Sequence, residues 1–333
     1  MASPTTQQTL KRTVGTKAFV DSQEVSIDIP RVQDINSVMV VVRGSMTIGA
    51  ASATGLAGDS PAGLIQRFDF VANGKDVLAQ CSGAKASIGN YQRSFANQNV
   101  DPGLTVGTHP VVAVYRLDRD MMDGIRPKDS SFQAYMTNLL SLNMITGDAN
   151  TDEATNCLVS PDSSTTVSFT GNIDVVVEST QELAGGRGEP KFIRKETRQI
   201  QSVTGSNTAL TFRMPTGNLM RSLTVRCLDD GIPTDALISN LEFAVDGVDV
   251  RYKGNFFDAK RQNADDKNIS MSSVPTGYAV IDFCRANRAG VKLSQAVNLQ
   301  NVSECKLSLD NNAPEGTTGV IEITIEEYIV PRG

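Results

Sequence analysis

The 333-residue chain predicts an all-β protein of two tandem eight-stranded jelly-roll sandwiches, a double jelly roll with short helices in the connections. Three observations predict it. Short β-branched runs with period-two alternation recur along the chain, turn-forming Gly, Asn, Asp and Pro separate them, and the pattern of the first half returns in the second. The length agrees, being ample for two cores.

Taken in order, residues 1–16 are polar and include Lys11 and Arg12, so they read as a flexible arm ordered against a neighbouring subunit or a membrane surface. A first jelly roll follows over residues 17–183. Its clearest strands are Val25–Ile29, Val38–Val42, Phe68–Phe70, Val167–Phe169 and Ile173–Val177. Apolar residues at Phe132, Tyr135, Met136, Leu139 and Leu140 have helical spacing and predict about three turns over Phe132–Leu142. Gly49–Gly63 and Gly147–Ser164 are small and polar and read as long surface loops. Residues 184–196 form the linker; Gly185-Gly186-Arg187-Gly188 is too short for a phosphate loop and is followed by Pro190. The second jelly roll, residues 197–333, shows strands at Leu210–Phe212, Leu223–Val225, Ala279–Phe283 and Ile321–Ile325. A weaker helical pattern lies around Leu293–Val302.

The internal repeat carries the most weight. Leu64-Ile65-x-x-Phe68-Asp69-Phe70-x-x-Asn73-Gly74-x-Asp76-Val77 returns as Leu237-Ile238-x-x-Leu241-Glu242-Phe243-x-x-Asp246-Gly247-x-Asp249-Val250. Upstream, Pro30, Ser37, Val38 and Val40 match Pro215, Ser222, Leu223 and Val225. Downstream, Ala113-Val114, Arg119 and Gly124 match Ala279-Val280, Arg285 and Gly290, and Leu140-Ser141-Leu142 matches Leu307-Ser308-Leu309. Ile173-Asp-Val-Val-Val-Glu178 matches Ile321-Glu-Ile-Thr-Ile-Glu326. Five blocks in one order point to a tandem duplication. Asn73-Gly74 and Asp246-Gly247 are the dipeptides of a type I′ hairpin, whose central residues both take positive φ. Asp69 and Glu242 then point outward as solvated strand positions.

Composition excludes several function classes. There is one histidine, His109, no Trp, and five cysteines without ligand spacing, so the usual zinc, copper or iron sites and a His-dependent nucleophile lack their residues. A bicupin fails for the same reason, and a glycosidase groove lacks aromatic platforms. His109 precedes Pro110 and reads as packing locally. Cys81, Cys157, Cys227, Cys284 and Cys305 read as small buried hydrophobes in a chain folded under reducing conditions. No catalytic, cofactor-binding or metal residue is expected. A structural calcium at Asp118, Asp120 and Asp123, or at Asp265 and Asp266, is the one exception to test. The sequons Asn268-Ile-Ser270 and Asn301-Val-Ser303 matter only in a secretory pathway, and no signal-peptide or membrane-spanning run is present.

The net charge is −6, which argues against direct nucleic-acid binding. The excess lies before residue 183. No Lys or Arg occurs between Asp129 and Glu182, after which Arg187, Lys191, Arg194, Lys195 and Arg198 follow closely. These stretches read either as a solvated acidic face with a basic linker, or as complementary patches between neighbouring copies.

On the duplicated sandwich, with Asn73-Gly-Lys-Asp-Val-Leu78 and Asp246-Gly-Val-Asp-Val-Arg251 each following an apolar strand, the chain resembles the double jelly-roll major capsid proteins of tailless, icosahedral, membrane-containing bacteriophages. The resemblance implies a shell protein without an active site, made in the host cytoplasm and located in the virion. It also implies homotrimers, contacts with neighbouring trimers and with minor capsid and vertex proteins, and a base facing an internal membrane. Two similar sandwiches under three-fold symmetry would give a pseudo-hexagonal footprint. The alternative is a lectin-like or adhesive β-sandwich module.

Overall fold

The computed structural model describes residues 7–94, 99–119, 131–182, 192–205, 209–267, 270–271, 274–284, 295–313 and 318–329. They group into two compact units, one of the residues up to 182 and one of those from 192 onward.

The first unit has eight principal strands: β1 (Gln7–Ala18), β2 (Glu24–Asp28), β3 (Asp34–Gly49), β4 (Ile65–Ala72), β5 (Asp76–Cys81), β6 (Gly107–Asp118), β7 (Leu140–Thr146) and β8 (Thr166–Glu182). They pair antiparallel as β1-β8-β3-β6 and as β2-β7-β4-β5. First and last strands therefore lie side by side, and successive strands alternate between sheets except for the β4-β5 hairpin, which is the jelly-roll order. The second unit repeats it with β9 (Ile193–Thr204), β10 (Leu210–Arg213), β11 (Leu219–Asp229), β12 (Ile238–Val245), β13 (Asp249–Asn255), β14 (Tyr278–Asp282), β15 (Cys305–Asn311) and β16 (Thr318–Ile329). Its sheets are β9-β16-β11-β14 and β10-β15-β12-β13. Within its own unit each strand has the same neighbours as the one eight places earlier.

Period-two alternation builds each core. Ile173, Val175 and Val177 of β8 and Ile321, Ile323 and Ile325 of β16 are buried, as are Phe68 and Phe70 of β4 and Leu241 and Phe243 of β12. Each such side chain contributes about 1.5–3 kcal/mol of burial. Both hairpins turn as the sequence predicts: φ is 54° and 73° at Asn73 and Gly74, and 49° and 72° at Asp246 and Gly247. Even the irregularity is shared, since a β-bulge falls after Phe70 in one copy and after Phe243 in the other. Asp69 and Glu242 meet Gln80 and Lys253 across the ladder, at 3.0 Å and 2.7 Å.

Five expectations are corrected. The arm of residues 1–16 is β1 from Gln7 onward, paired along its length with β8; residues 1–6 lie outside the described residues. The linker of 184–196 ends earlier, because Ile193 to Glu196 are already in β9; Gly185–Gly188, Arg187 and Lys191 lie outside the described residues. Phe132–Leu142 is not a helix. It holds a two-residue bridge to β3, a single 3-10 turn at Ala134–Met136 and the start of β7, and Met136 is 65% exposed. The pattern around Leu293–Val302 gives only a bridge at Val297–Asn298. Finally, Gly49–Gly63 and Gly147–Ser164 are not free surface loops, since Gly55–Leu56 pairs with Val159–Ser160 and Ala53, Ala149, Leu158 and Val159 are buried. The Asn156 amide locks this region by donating to Thr151 O at 2.8 Å and accepting from the Leu158 and Val159 amides.

The two α-helices, α1 (Gly83–Ser94) and α2 (Phe256–Lys267), follow β5 and β13. Equivalent residues cap them: Ser82 Oγ accepts from Lys85 N at 3.3 Å, and Asn255 Oδ1 from Asp258 N at 2.6 Å. A Cβ on Gly83 would stand 1.8 Å from Ile65 O, so only glycine can open α1. Edge strands β6 and β14 are guarded alike, Val114 N donating to Asn99 Oδ1 and Val280 N to Asn263 Oδ1.

Candidate functional site

In β8 and β16 the residues that alternate with the buried aliphatic ones point to the opposite, outer face. They set two carboxylates four residues apart in each unit: Asp174 and Glu178, and Glu322 and Glu326. Flanking strands supply cations to each pair.

In the second unit this ladder is almost dry. Glu326 meets Arg194 of β9 at 2.7 Å and Arg221 of β11; Glu322 meets Arg198 of β9 at 2.8 Å and Arg226 of β11 at 3.2 Å. Arg194 also approaches Glu196 at 3.3 Å. The Glu322 and Glu326 side chains are only 3% and 8% exposed. Burial disfavours charge on Arg194 and Arg221. Nearby acidic groups, Glu326 first, outweigh that penalty, so both guanidiniums hold their protons more tightly than usual. Aromatic residues complete the cluster: Arg226 lies over the Tyr278 ring at 5.8 Å, and burial pushes the Tyr328 phenol up to about 12. Glu327, also fully buried, has one oxygen accepting from Asn218 at 3.2 Å, and burial raises its carboxyl above the usual range despite Asn218 and Lys195.

The first unit carries the same ladder in a wetter form. Glu178 meets Lys11 of β1 at 3.4 Å and Arg116 of β6 at 3.3 Å, Asp174 meets Arg43 of β3 at 3.3 Å, and Arg116 also holds Asp118 at 2.7 Å. Lys11 and Arg43 are 64% and 63% exposed. Thr16 Oγ1 donates to Asp174 Oδ1 at 2.8 Å. Ion pairs of this kind fix strand register and add little net stability.

A second feature is apolar. At one end of the first unit, Arg31 Nη1 donates to Thr137 O, Asn73 N to Leu139 O and Asn138 N to Asn73 Oδ1, each at 2.8 Å, so three connections meet there. Val32, Val77, Met136 and Leu139 are exposed at this end by 67, 38, 65 and 45%. The matching turn of the second unit exposes Val248 and Val250.

The other residues singled out by sequence are accounted for locally. His109 Nε2 is 2.7 Å from Thr105 O, and its ring packs on Gly103. The five cysteines are free thiols. Cys157 is pushed up to about 12 by burial, so it is not a poised nucleophile. Asp118 faces Arg116, Asp265 and Asp266 lie in α2, and Asp120 and Asp123 lie outside the described residues. Among the described residues no three His, Cys, Asp or Glu converge on a metal position, and no helix is long and apolar enough to cross a membrane. Sequence reasoning misses the ladders: it places Arg194 in the linker and gives the outward carboxylates of the fifth repeat block no role. Their four-residue spacing within that block is the signal that finds them.

No family model matches the chain, and no curated protein matches its sequence. Solved structures do match. The structure described as the STIV MCP has a TM-score of 0.72 at 18% identity, over 97% of each chain. The atomic structure of Sulfolobus Turreted Icosahedral Virus gives 0.73 at 17%, covering 97% of this chain and 91% of that one. The major capsid protein P2 from bacteriophage PM2 gives 0.59 at 11%, covering 98% and 100%. These are double jelly-roll proteins, and with the strand order of both units they establish the fold of this chain as a double jelly roll.

Proposed function

We propose that this chain is the major capsid protein of an icosahedral virion, a structural protein and not an enzyme. The observation that carries the reading is the match of nearly the whole chain, both units included, to proteins whose own descriptions are those of virus shells. The chemistry agrees: the polar groups that converge do so as ion pairs between strands, which suits a rigid tile.

In finer terms, the chain forms pseudo-hexagonal homotrimers that meet neighbouring trimers and the minor capsid and vertex proteins. The end bearing Val32, Val77, Met136 and Leu139 faces the internal membrane. An exposed apolar cluster beside Arg31 and Lys75 supports that orientation, since such a surface favours the headgroup boundary of a bilayer. The test is negative-stain microscopy with light scattering on the purified full chain. Hexagon-shaped trimers are expected; a stable monomer that binds glycans would overturn the reading in favour of an adhesive module.

A further inference from the structure

We propose that the outer face of the first unit's β1-β8-β3 sheet is an interface with a second copy of this chain, where its ion-pair ladder closes to solvent as its counterpart in the second unit already does. The proposal rests on the assembly reading above.

Three observations lead to it. First, the faces are equivalent strand for strand: Asp174 and Glu178 correspond to Glu322 and Glu326, and Ser37 on β3 sits opposite Glu178 as Ser222 on β11 sits opposite Glu326. One face all but excludes water, and the other admits it at Lys11 and Arg43. A duplicated surface keeps its chemistry where it keeps its use. Second, the first-unit face is electrically prepared for burial. Lys11, Arg43 and Arg116 balance Asp118, Asp174 and Glu178, in a half of the chain that is otherwise acidic. Desolvating it would bury paired charges and no net charge, which is the condition a buried ionic patch must meet. Third, β1 is the edge of its sheet. Its twelve residues pair only with β8 among the described residues, and the free side carries the N–H and C=O groups that invite a neighbour.

The experiment compares the full chain with K11E/R43E, which removes the cation of Asp174 and leaves Glu178 with Arg116 alone. Light scattering gives the oligomeric state, and circular dichroism checks the fold. Carbodiimide labelling read by mass spectrometry reports access to the two carboxylates. The parent is expected to be a trimer in which Asp174 and Glu178 label at least ten-fold more slowly than in chain dissociated by dilution; K11E/R43E is expected to be folded and monomeric. A parent that does not self-associate overturns the assembly reading and this interface with it. A trimeric parent whose two carboxylates label equally fast before and after dissociation, or a folded K11E/R43E that stays trimeric, overturns the interface alone. Should K11E/R43E fail to fold, the labelling of the parent decides.

Discussion

The β1-β8-β3-β6 sheet of the first unit and the β9-β16-β11-β14 sheet of the second share strand order, hairpin turns and the spacing of their outward carboxylates, yet the surroundings of those carboxylates differ. Asp174 and Glu178 are 24% and 18% exposed and are met partly by cations open to solvent, whereas Glu322 and Glu326 sit between arginines that water scarcely reaches. Exposed pairs contribute about 0–1 kcal/mol, because solvent screens them and their long side chains lose entropy. Removing one partner of a buried pair costs about 3–5 kcal/mol, because the other charge is stranded. One inherited pattern is therefore marginal in one unit and indispensable in the other.

The strongest way to break this contrast is Glu326→Ala against Glu178→Ala. The first strands Arg194 and Arg221 and is expected to lose about 3–5 kcal/mol in urea unfolding; the second should lose about 0–1 kcal/mol. Equal losses would show that burial does not separate the faces. Next in size, Gly74→Val and Gly247→Val force a β-branched residue into positive φ, and each should cost about 1–2 kcal/mol. Here the units should agree, because the turns are the same, and a clear inequality would mean the hairpins are not equivalent. A smaller effect concerns Glu327. Its folded carboxyl titrates above its unfolded value near about 4.3, so the charged form opposes folding, and the cost grows as pH rises from the unfolded value through the folded one. Glu327→Gln should thus raise the melting temperature at pH 7 and leave it unchanged at pH 3; no gain at pH 7 would show that the buried carboxylate is compensated. Asp246 runs the other way. Hydrogen bonds from Ser303 and Glu304 lower its carboxyl, so its contribution is present above the usual carboxylate range and fades as pH falls through the lowered value. The smallest effect is salt: added NaCl should erode what Glu178→Ala removes and leave the Glu326→Ala loss nearly intact.

Much of this fold is legible in the sequence, for identifiable reasons. Strands such as Ile173–Val177 and Ile321–Ile325 face a core on one side and announce themselves by alternation, and the Asn73-Gly74 and Asp246-Gly247 turns need positive φ that few residues tolerate. Strand β1 escapes because it is a polar edge whose pairing comes from Thr166–Glu182, far along the chain, so no local pattern marks it. Helix α1 escapes because it packs through Ala84, Ala86 and Ser87, small residues that give no apolar stripe. The caps Ser82 and Asn255, at matching places in the repeat, are the clue that locates both helices. Phe132–Leu142 misleads in the opposite sense, since a 3-10 turn between two strand segments mimics helical spacing and leaves Met136 and Leu139 exposed. The ladder was hidden for another reason. Whether a charged strand face is wet or dry depends on what lies against it, and alternation reports only which face a residue is on.

The pairing of first with last strand has a consequence for how such a chain arises. Gln7 stands opposite Glu182, and Ile193 opposite Ile329, so each jelly roll begins and finishes at neighbouring positions on one sheet. A gene encoding one unit can be copied head to tail and read through with only a short spacer, because neither terminus must cross the molecule to reach the next copy. The fusion leaves every hydrogen-bonded ladder of the ancestral fold intact, and from then on the two descendants are free to diverge in their loops and in the wetness of their outer faces while remaining bound in fixed one-to-one supply.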